Sequence, residues 1–283
     1  MAKTKIAWTD RVWNPLTGCA KVGAGCVNCY AERMAKRLKA MGRPEYQDAV
    51  NDKGHWTGRI TLAPERLNDP LKWKKPAYVF VNSMSDPFHE DVDSLFILRM
   101  IEIMQEANRH TFQILTKRYF RPACELNLQD ASDHILIGFS ISNQEDADKA
   151  WGGLYAVHKA GWRTWVSYEP ALGPVDWSAW EFIDQLVCGG ESGPRARMMH
   201  PDWARSARDW CQANNIPFFF KQWGEWAPLD HLAWVTDETR FRWRPVETAG
   251  GVWMCQVGKG MAGHVLDGVE WYERAKVRDE QVS

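Results

Sequence analysis

Two hydrophobic periods alternate along this chain. Short apolar runs recur at Tyr78-Val-Phe-Val81, Thr111–Leu115, Ile135–Ser140, Thr164–Ser167, Gln185–Cys188 and Pro217–Phe220. Such runs, bounded by polar residues, predict buried β-strands. An earlier strand is predicted around Ile6–Asn14. Between the runs lie segments with helical spacing. Ala31–Met41 is rich in Ala, Glu, Lys, Arg and Leu and is stopped by Gly42 and Pro44. Residues 92–108 place Leu95, Leu98, Ile101 and Met104 on one face. Further helices are predicted from beyond Gln144 to about Lys159 and over 201–213, with Asp202 and Trp203 in the first turn. Residues 43–75 read as irregular, with an amphipathic piece near Pro64–Trp73.

Strands alternating with helices imply a parallel sheet flanked by helices, hence the α/β class. Six or seven such units predict a full or partial parallel β/α barrel. A doubly wound open sheet is the second reading. Either way a ligand site falls at the C-terminal ends of the strands. Those ends carry Asn82, Ser83, Ser85 and Asp86; Lys117 and Arg118; Ser142 and Asn143; Glu169; Glu191 and Ser192; and Lys221 and Gln222. The last part changes character, since Gly250, Gly251, Gly258, Gly260, Gly263 and Gly268 punctuate short aromatic-containing segments. The expected organisation is a barrel over 1–225 and a small β-hairpin appendage over 226–283, with a charged tail, Glu273–Ser283, that frays.

Composition is that of an ordinary globular protein: 45% hydrophobic, 25% charged, net charge -1. No global basic field draws it to nucleic acid. A local basic cluster, Arg33, Lys36, Arg37, Lys39 and Arg43, is either a phosphate-binding face or a solvated one. No apolar run is long enough to cross a membrane. The opening Met1-Ala-Lys-Thr-Lys5 has no signal-peptide character, so the expectation is a soluble, cytoplasmic protein. Seventeen tryptophans belong mainly to the core. Trp8, Trp13, Trp56, Trp73, Trp223 and Trp226 lie near loops, where a ring would line a pocket.

The candidate chemistry is concentrated in Thr17-Gly18-Cys19-Ala-Lys-Val-Gly-Ala-Gly-Cys26-Val-Asn-Cys29-Tyr30, a Cys-x6-Cys-x2-Cys spacing. Three thiolates on one glycine-containing loop after the first strand suit an iron–sulfur cluster with one open iron. Structural zinc is the rival reading and needs a fourth ligand, the nearest downstream histidine being His55. Unrelated thiols are the third. Disulfides are disfavoured by the odd count of seven cysteines. Cys124, Cys188, Cys211 and Cys255 stand singly and are expected to be buried, inert thiols. His89 and His200 read as capping or loop histidines.

Three cysteines on the loop after the first strand of a β/α barrel resemble radical S-adenosylmethionine (SAM) enzymes. There, three cysteines hold a 4Fe–4S cluster, and the amino and carboxyl groups of SAM bind the free iron. The usual spacing in that superfamily is Cys-x3-Cys-x2-Cys with an aromatic before the last cysteine. Here the first gap is six and Asn28 precedes Cys29, leaving Tyr30 for the aromatic contact. The resemblance implies Cys19, Cys26 and Cys29 as ligands and Ser83, Ser85 and Asp86 as contacts to SAM. Gly189-Gly190-Glu191 is similar to the Gly-Gly-Glu element that meets the SAM amino group, although here it follows about the sixth strand rather than the second. Its glycine pair suits close backbone approach to a ligand. Nearly the whole chain, about residues 5–270, also resembles an uncharacterised phage-associated family, Gp37/Gp68-like. The match runs through Trp13-Asn-Pro15-Leu-Thr-Gly-Cys19, Phe80-Val-Asn-Ser-Met-Ser-Asp86-Pro-Phe-His89, Gln113-Ile-Leu-Thr-Lys-Arg118, Tyr168-Glu-Pro-Ala-Leu-Gly-Pro174 and Phe218-Phe-Phe-Lys-Gln-Trp-Gly224. Members are grouped with radical SAM-like proteins, with a spore-photoproduct-type lyase as a suggested relative.

Two uses remain open for Lys117, Arg118, Glu169 and Lys221: an internal ion-pair network, or contacts to a substrate phosphate or carboxylate. The leading functional reading is a radical SAM-type enzyme with a 4Fe–4S cluster and SAM, an external electron donor and an unidentified substrate, with nucleic acid or a nucleoside as candidates. The alternative is an iron–sulfur or zinc protein of phage or host DNA processing that binds nucleic acid without radical chemistry. No signal in the sequence sets the oligomeric state.

Overall fold

The apolar runs form the strands of one seven-stranded sheet in a computed structural model that describes residues 4, 6–127, 129–232 and 245–275. In chain order the first nine strands are β1 (Arg11–Trp13), β2 (Leu16–Thr17), β3 (Thr61–Leu62), β4 (Tyr78–Val81), β5 (Thr111–Thr116), β6 (Ile135–Ile141), β7 (Arg163–Tyr168), β8 (Gln185–Gly189) and β9 (Phe218–Gln222). The main sheet runs β1-β4-β5-β6-β7-β8-β9. Pairing is parallel for β1 with β4, β4 with β5, β5 with β6, and β8 with β9. A strand order that simply follows the chain, joined by right-handed crossovers, keeps its helices on one face. This is the topology of a partial β/α barrel, and it excludes the doubly wound alternative, in which the order reverses. The central strands are buried along their length, which is why they read as continuous apolar runs.

The elements are shorter or shifted in places. The early strand predicted over Ile6–Asn14 is only Arg11–Trp13, because the residues before it form a turn in which the Thr9 amide donates to the Ile6 carbonyl at 3.4 Å; Leu16 and Thr17 then pair antiparallel with Leu62 and Thr61. Pro64–Trp73 is a 3-10 turn at Pro64–Arg66 followed by one helical turn at Asp69–Lys72 (α2), each opening on or near a proline. The helix α1 is Tyr30–Ala40, α3 is Ser94–Glu106, α4 is Arg121–Leu126, α5 is Gln144–Lys159 and α6 is Pro201–Ala213. Asp93 caps α3 by accepting from the Leu95 amide at 2.8 Å. The buried face of α3 is Ile97, Met100, Ile101, Ile103 and Met104, while Leu95 is exposed on the opposite side of the helix.

Two compact units make up the chain. The first holds residues 1–140, 149–165 and 275–283 and contains β1–β5. In its core Trp8 packs edge-on against Phe80 and Trp165, and the Trp165 indole donates to the Ile114 carbonyl at 3.0 Å. A satellite core of Ala35, Tyr46, Ala49, Val50 and Met84 seats α1 against the loop after β4. The second unit holds 141–148 and 166–274. It contains β8 and β9, with Phe218, Phe219 and Phe220 fully buried. It also carries the C-terminal hairpins. These are an antiparallel sheet of β10 (Trp226–Pro228), β11 (Val246–Glu247) and β12 (Trp253–Gln256), and a hairpin of β13 (Val265–Leu266) and β14 (Val269–Glu270). Of the tail expected to fray, residues 276–283 lie outside the described residues, as do 233–244 of the appendage. Trp8, Trp13 and Trp223 are buried, so those three indoles are core rather than pocket lining.

Candidate functional site

The cysteine loop lies in the first unit and follows β2, the short strand that comes after the C-terminal end of β1. Gly18 fixes its start. Its φ is +92°, and a Cβ there would lie 2.0 Å from the Arg59 carbonyl oxygen, so only glycine fits both the conformation and the approach. Cys19 follows. Cys26 ends the 3-10 turn Ala24–Cys26 and is buried, and Cys29 is the N-cap residue of α1. All three are free thiols. The loop is strapped to α1 by Lys21, whose ammonium meets Glu32 at 2.8 Å and donates to the Val27 carbonyl at 3.2 Å. Glu32 is itself buried and accepts from the Trp56 amide at 2.9 Å.

The loop after β4 meets the cysteine loop from the neighbouring strand. Asn82 donates to the Leu16 carbonyl at 2.7 Å, Ser83 is held by Asn14, and the Ser85 hydroxyl donates to the Gly18 carbonyl. Asp86 is a hub. One oxygen accepts from the Thr116 hydroxyl at 2.7 Å and the Phe88 amide at 3.0 Å; the other accepts from the Lys117 amide and Arg118 Nη1, both at 3.1 Å. From there Arg118 reaches Cys19, with Nη1 3.7 Å from Sγ. Burial, then the nearby Asp86 charge, push the Cys19 thiol up to about 12, while Arg118 and its hydrogen bond pull it down; Cys29 also raises it, so the two thiols are in electrostatic reach. For Arg118, burial works against the charged form, but Asp86, Cys19 and Glu90 outweigh it and hold the guanidinium above its ordinary value.

Three soft thiolates are a donor set that both zinc and iron–sulfur groups accept. Among the described residues no three His, Cys, Asp or Glu side chains converge on a common point. A cluster takes each cysteine to a different iron, which asks for three soft thiolates spread around a bulky group rather than converging on a point.

In the second unit a different cluster occupies the strand ends. Glu169, just beyond β7, takes the Lys221 ammonium on both oxygens at 2.8 Å. Gln222 donates to Ser192 Oγ at 3.1 Å and lies 3.5 Å from Glu169. Glu191 is held in a two-toothed pair by Arg197, at 3.0 and 2.6 Å, and accepts the Arg197 amide at 2.8 Å. The close approach expected of Gly189-Gly190 is to protein backbone. A Cβ on Gly190 would lie 1.8 Å from the Trp223 carbonyl oxygen. A cleft of about 730 Å³ opens near the start of α6, lined by Val175, Met198, His200, Trp203 and Glu247 among others, and by none of the site residues predicted from sequence.

The structure therefore brings Cys19, Ser85, Asp86 and Arg118 together in the first unit, and Glu169 with Lys221 in the second. Lys221 pairs with Glu169, while Arg118 pairs with Asp86 and Glu90 rather than with Glu169 or Glu191. The Lys117 side chain has no hydrogen bond or ion pair among the described residues, and Tyr30 is exposed. His200 caps α6, accepting from the Asp202 amide. Cys188, Cys211 and Cys255 are buried, but Cys124 is exposed, because its place in α4 faces solvent. Sequence reasoning missed Glu90, Lys21, Glu32 and Arg197. Each acts through a partner distant in the chain or across a turn, and the only hint was an acidic residue beside His89.

No curated protein matches the chain in sequence. Two solved structures are similar. One is a spore photoproduct lyase variant (12% identity, 90% of this chain and 70% of that one, TM-score 0.46). The other is a second variant of that lyase with AdoMet and dinucleoside spore photoproduct bound (11% identity, 87% and 67%, TM-score 0.40). Residues 3–275 match the family described as protein of unknown function, DUF5131, and the chain belongs to that family.

Proposed function

We propose that this chain is an iron–sulfur enzyme of the radical SAM type, in which Cys19, Cys26 and Cys29 hold a 4Fe–4S cluster. One observation carries the reading. Three free thiols stand on a single loop at the C-terminal end of a parallel strand, fixed by Gly18 at one end and α1 at the other. When bound, such a cluster with SAM on its open iron supplies, on reduction, a 5′-deoxyadenosyl radical for hydrogen abstraction. The chain's own residues do the holding and shielding. Lys21 and Glu32 keep the loop closed on α1, and Asn82, Ser83 and Ser85 tie the loop after β4 to the strand end beneath the cysteines. Ser83, Ser85, Asp86 and Tyr30, all in the first unit, are the residues proposed to meet SAM. Lys117 is a half-buried cation suited to a substrate phosphate or carboxylate. The proposed substrate class is a nucleic acid or nucleoside, with electrons from an external donor.

Anaerobic reconstitution tests the reading. Near four irons and four sulfides per chain are expected, and after reduction SAM is cleaved to methionine and 5′-deoxyadenosine. Stoichiometric zinc without sulfide defeats the cluster. An intact cluster without 5′-deoxyadenosine under strong reduction leaves the alternative, a nucleic-acid-binding iron–sulfur protein.

A further inference from the structure

We propose that Arg118 is a positioning residue for the cysteine-bound group, holding a fixed positive charge and a hydrogen bond against the Cys19 sulfur and so raising the reduction potential of what that sulfur ligates. The inference rests on the cluster reading above.

A guanidinium has five N–H donors, and protein groups face all three of its nitrogens. Nη1 points to Asp86 at 3.1 Å and to Cys19 Sγ at 3.7 Å. Nη2 is 3.4 Å from the Ala20 carbonyl and 3.4 Å from Glu90. Nε is 3.4 Å from Glu90. A group so fully engaged is poorly placed to take a substrate phosphate. It is well placed to tie Cys19 and Ala20, on one strand's loop, to Asp86 and Glu90 on another's. The side chain is 6% exposed, so its charge acts through a poorly screened path. Its orientation is set from below. The Arg118 amide donates to Thr116 Oγ1 at 2.9 Å, the same hydroxyl that donates to Asp86, and Asp86 is fixed by the Phe88 and Lys117 amides. Asp86 is thus a support for the arginine, and a lysine, with a single nitrogen, spans fewer of these partners.

Hydrogen bonds and positive charge at ligating sulfurs favour the reduced state of a cluster. Glu90 opposes that effect from the solvent side, its own side chain being 64% exposed. Two variants therefore move the potential in opposite directions. Arg118→Gln removes the charge and is expected to lower the equilibrium constant for reduction about tenfold, which is about 59 mV for one electron. Glu90→Gln, a surface change that leaves the Asp86 pair in place, is expected to raise it by a smaller amount. The measurement is a redox titration of the reconstituted proteins followed by electron paramagnetic resonance, with iron and sulfide counted in each. A role confined to stability moves melting temperature and cluster content but not the potential. Unchanged potentials in iron-replete variants overturn the proposal. If Arg118→Gln fails to hold iron, Glu90→Gln decides alone, an upward shift supporting the inference and no shift overturning it. A wild-type chain that takes up no iron and sulfide overturns the cluster reading itself, and the inference with it.

Discussion

Gly18→Ala tests whether the cysteine loop is fixed where the structure puts it. Gly18 has φ +92°, a region in which a residue with a Cβ is strained by about 1–3 kcal/mol. The added methyl would also sit 2.0 Å from the Arg59 carbonyl oxygen and 3.1 Å from its carbon. Both atoms are backbone and cannot rotate away, so β2 and the Arg59 segment must part by more than an ångström. That movement strains the β2–β3 pairing and the bond from Ser85 to the Gly18 carbonyl. The combined cost is about 3 kcal/mol, near the upper end for point changes, or about 5 °C in Tm for a chain of this size. Gly42→Ala is the control. Its φ is +75°, but nothing lies within 4 Å of an added Cβ, so it carries only the backbone strain, about 1–2 kcal/mol. Thermal unfolding followed by circular dichroism, with iron counted after reconstitution, gives both readouts. Gly18→Ala should lose more stability than Gly42→Ala and hold less iron. Equal melting temperatures with full iron content would refute the close approach at Gly18 and its role in placing Cys19.

The other predictions concern the thiols and the ion pairs. Alanine at Cys19, Cys26 or Cys29 should abolish iron uptake, while Cys124→Ala should not; in the native apo-protein Cys124, exposed, should be alkylated before Cys188 and Cys211, whose burial pushes the thiols up, as read by mass spectrometry of timed samples. Glu169→Gln leaves the part-buried Lys221 ammonium without its counter-ion and should cost about 2 kcal/mol in denaturant unfolding. Lys259 is held below its ordinary value by burial and then by Lys221, so Lys221→Met should move its titration upward, as measured by NMR of the methylated amine. Asp267 is held below the usual carboxylate range by hydrogen bonds from Arg205, aided by Arg208. Its contribution is present above the unfolded carboxylate pKa and is lost as pH falls through the lower folded value, so the Tm gap between wild type and Asp267→Asn should close across that acid window.

The sequence alone determined the alternation of strands and helices, the class of sheet and the three-cysteine loop. These are local facts. A strand buried on both faces is written as a contiguous apolar run, the span 201–213 read from sequence with Asp202 and Trp203 in its first turn is α6, and a cysteine spacing is visible at once. Where the local pattern was ambiguous the reading slipped. Leu95 fits helical spacing but falls outside the stripe that the sheet covers, and Cys124 sits in a helix whose exposed side no periodicity over six residues reveals. Only the tertiary structure decided which polar strand ends meet. Asp86 and Arg118 are 32 positions apart and Cys19 and Arg118 99 apart; they touch because β1, β4 and β5 are consecutive neighbours in the sheet, an order set by packing and crossover handedness rather than by any residue in the loops. The same holds for Glu191. Its run of Gly-Gly-Glu looks like a ligand-binding element, but in the fold Gly190 lies against the Trp223 backbone and the carboxylate is held by Arg197, because a buried charge and a crowded backbone must be satisfied by whatever the fold brings alongside.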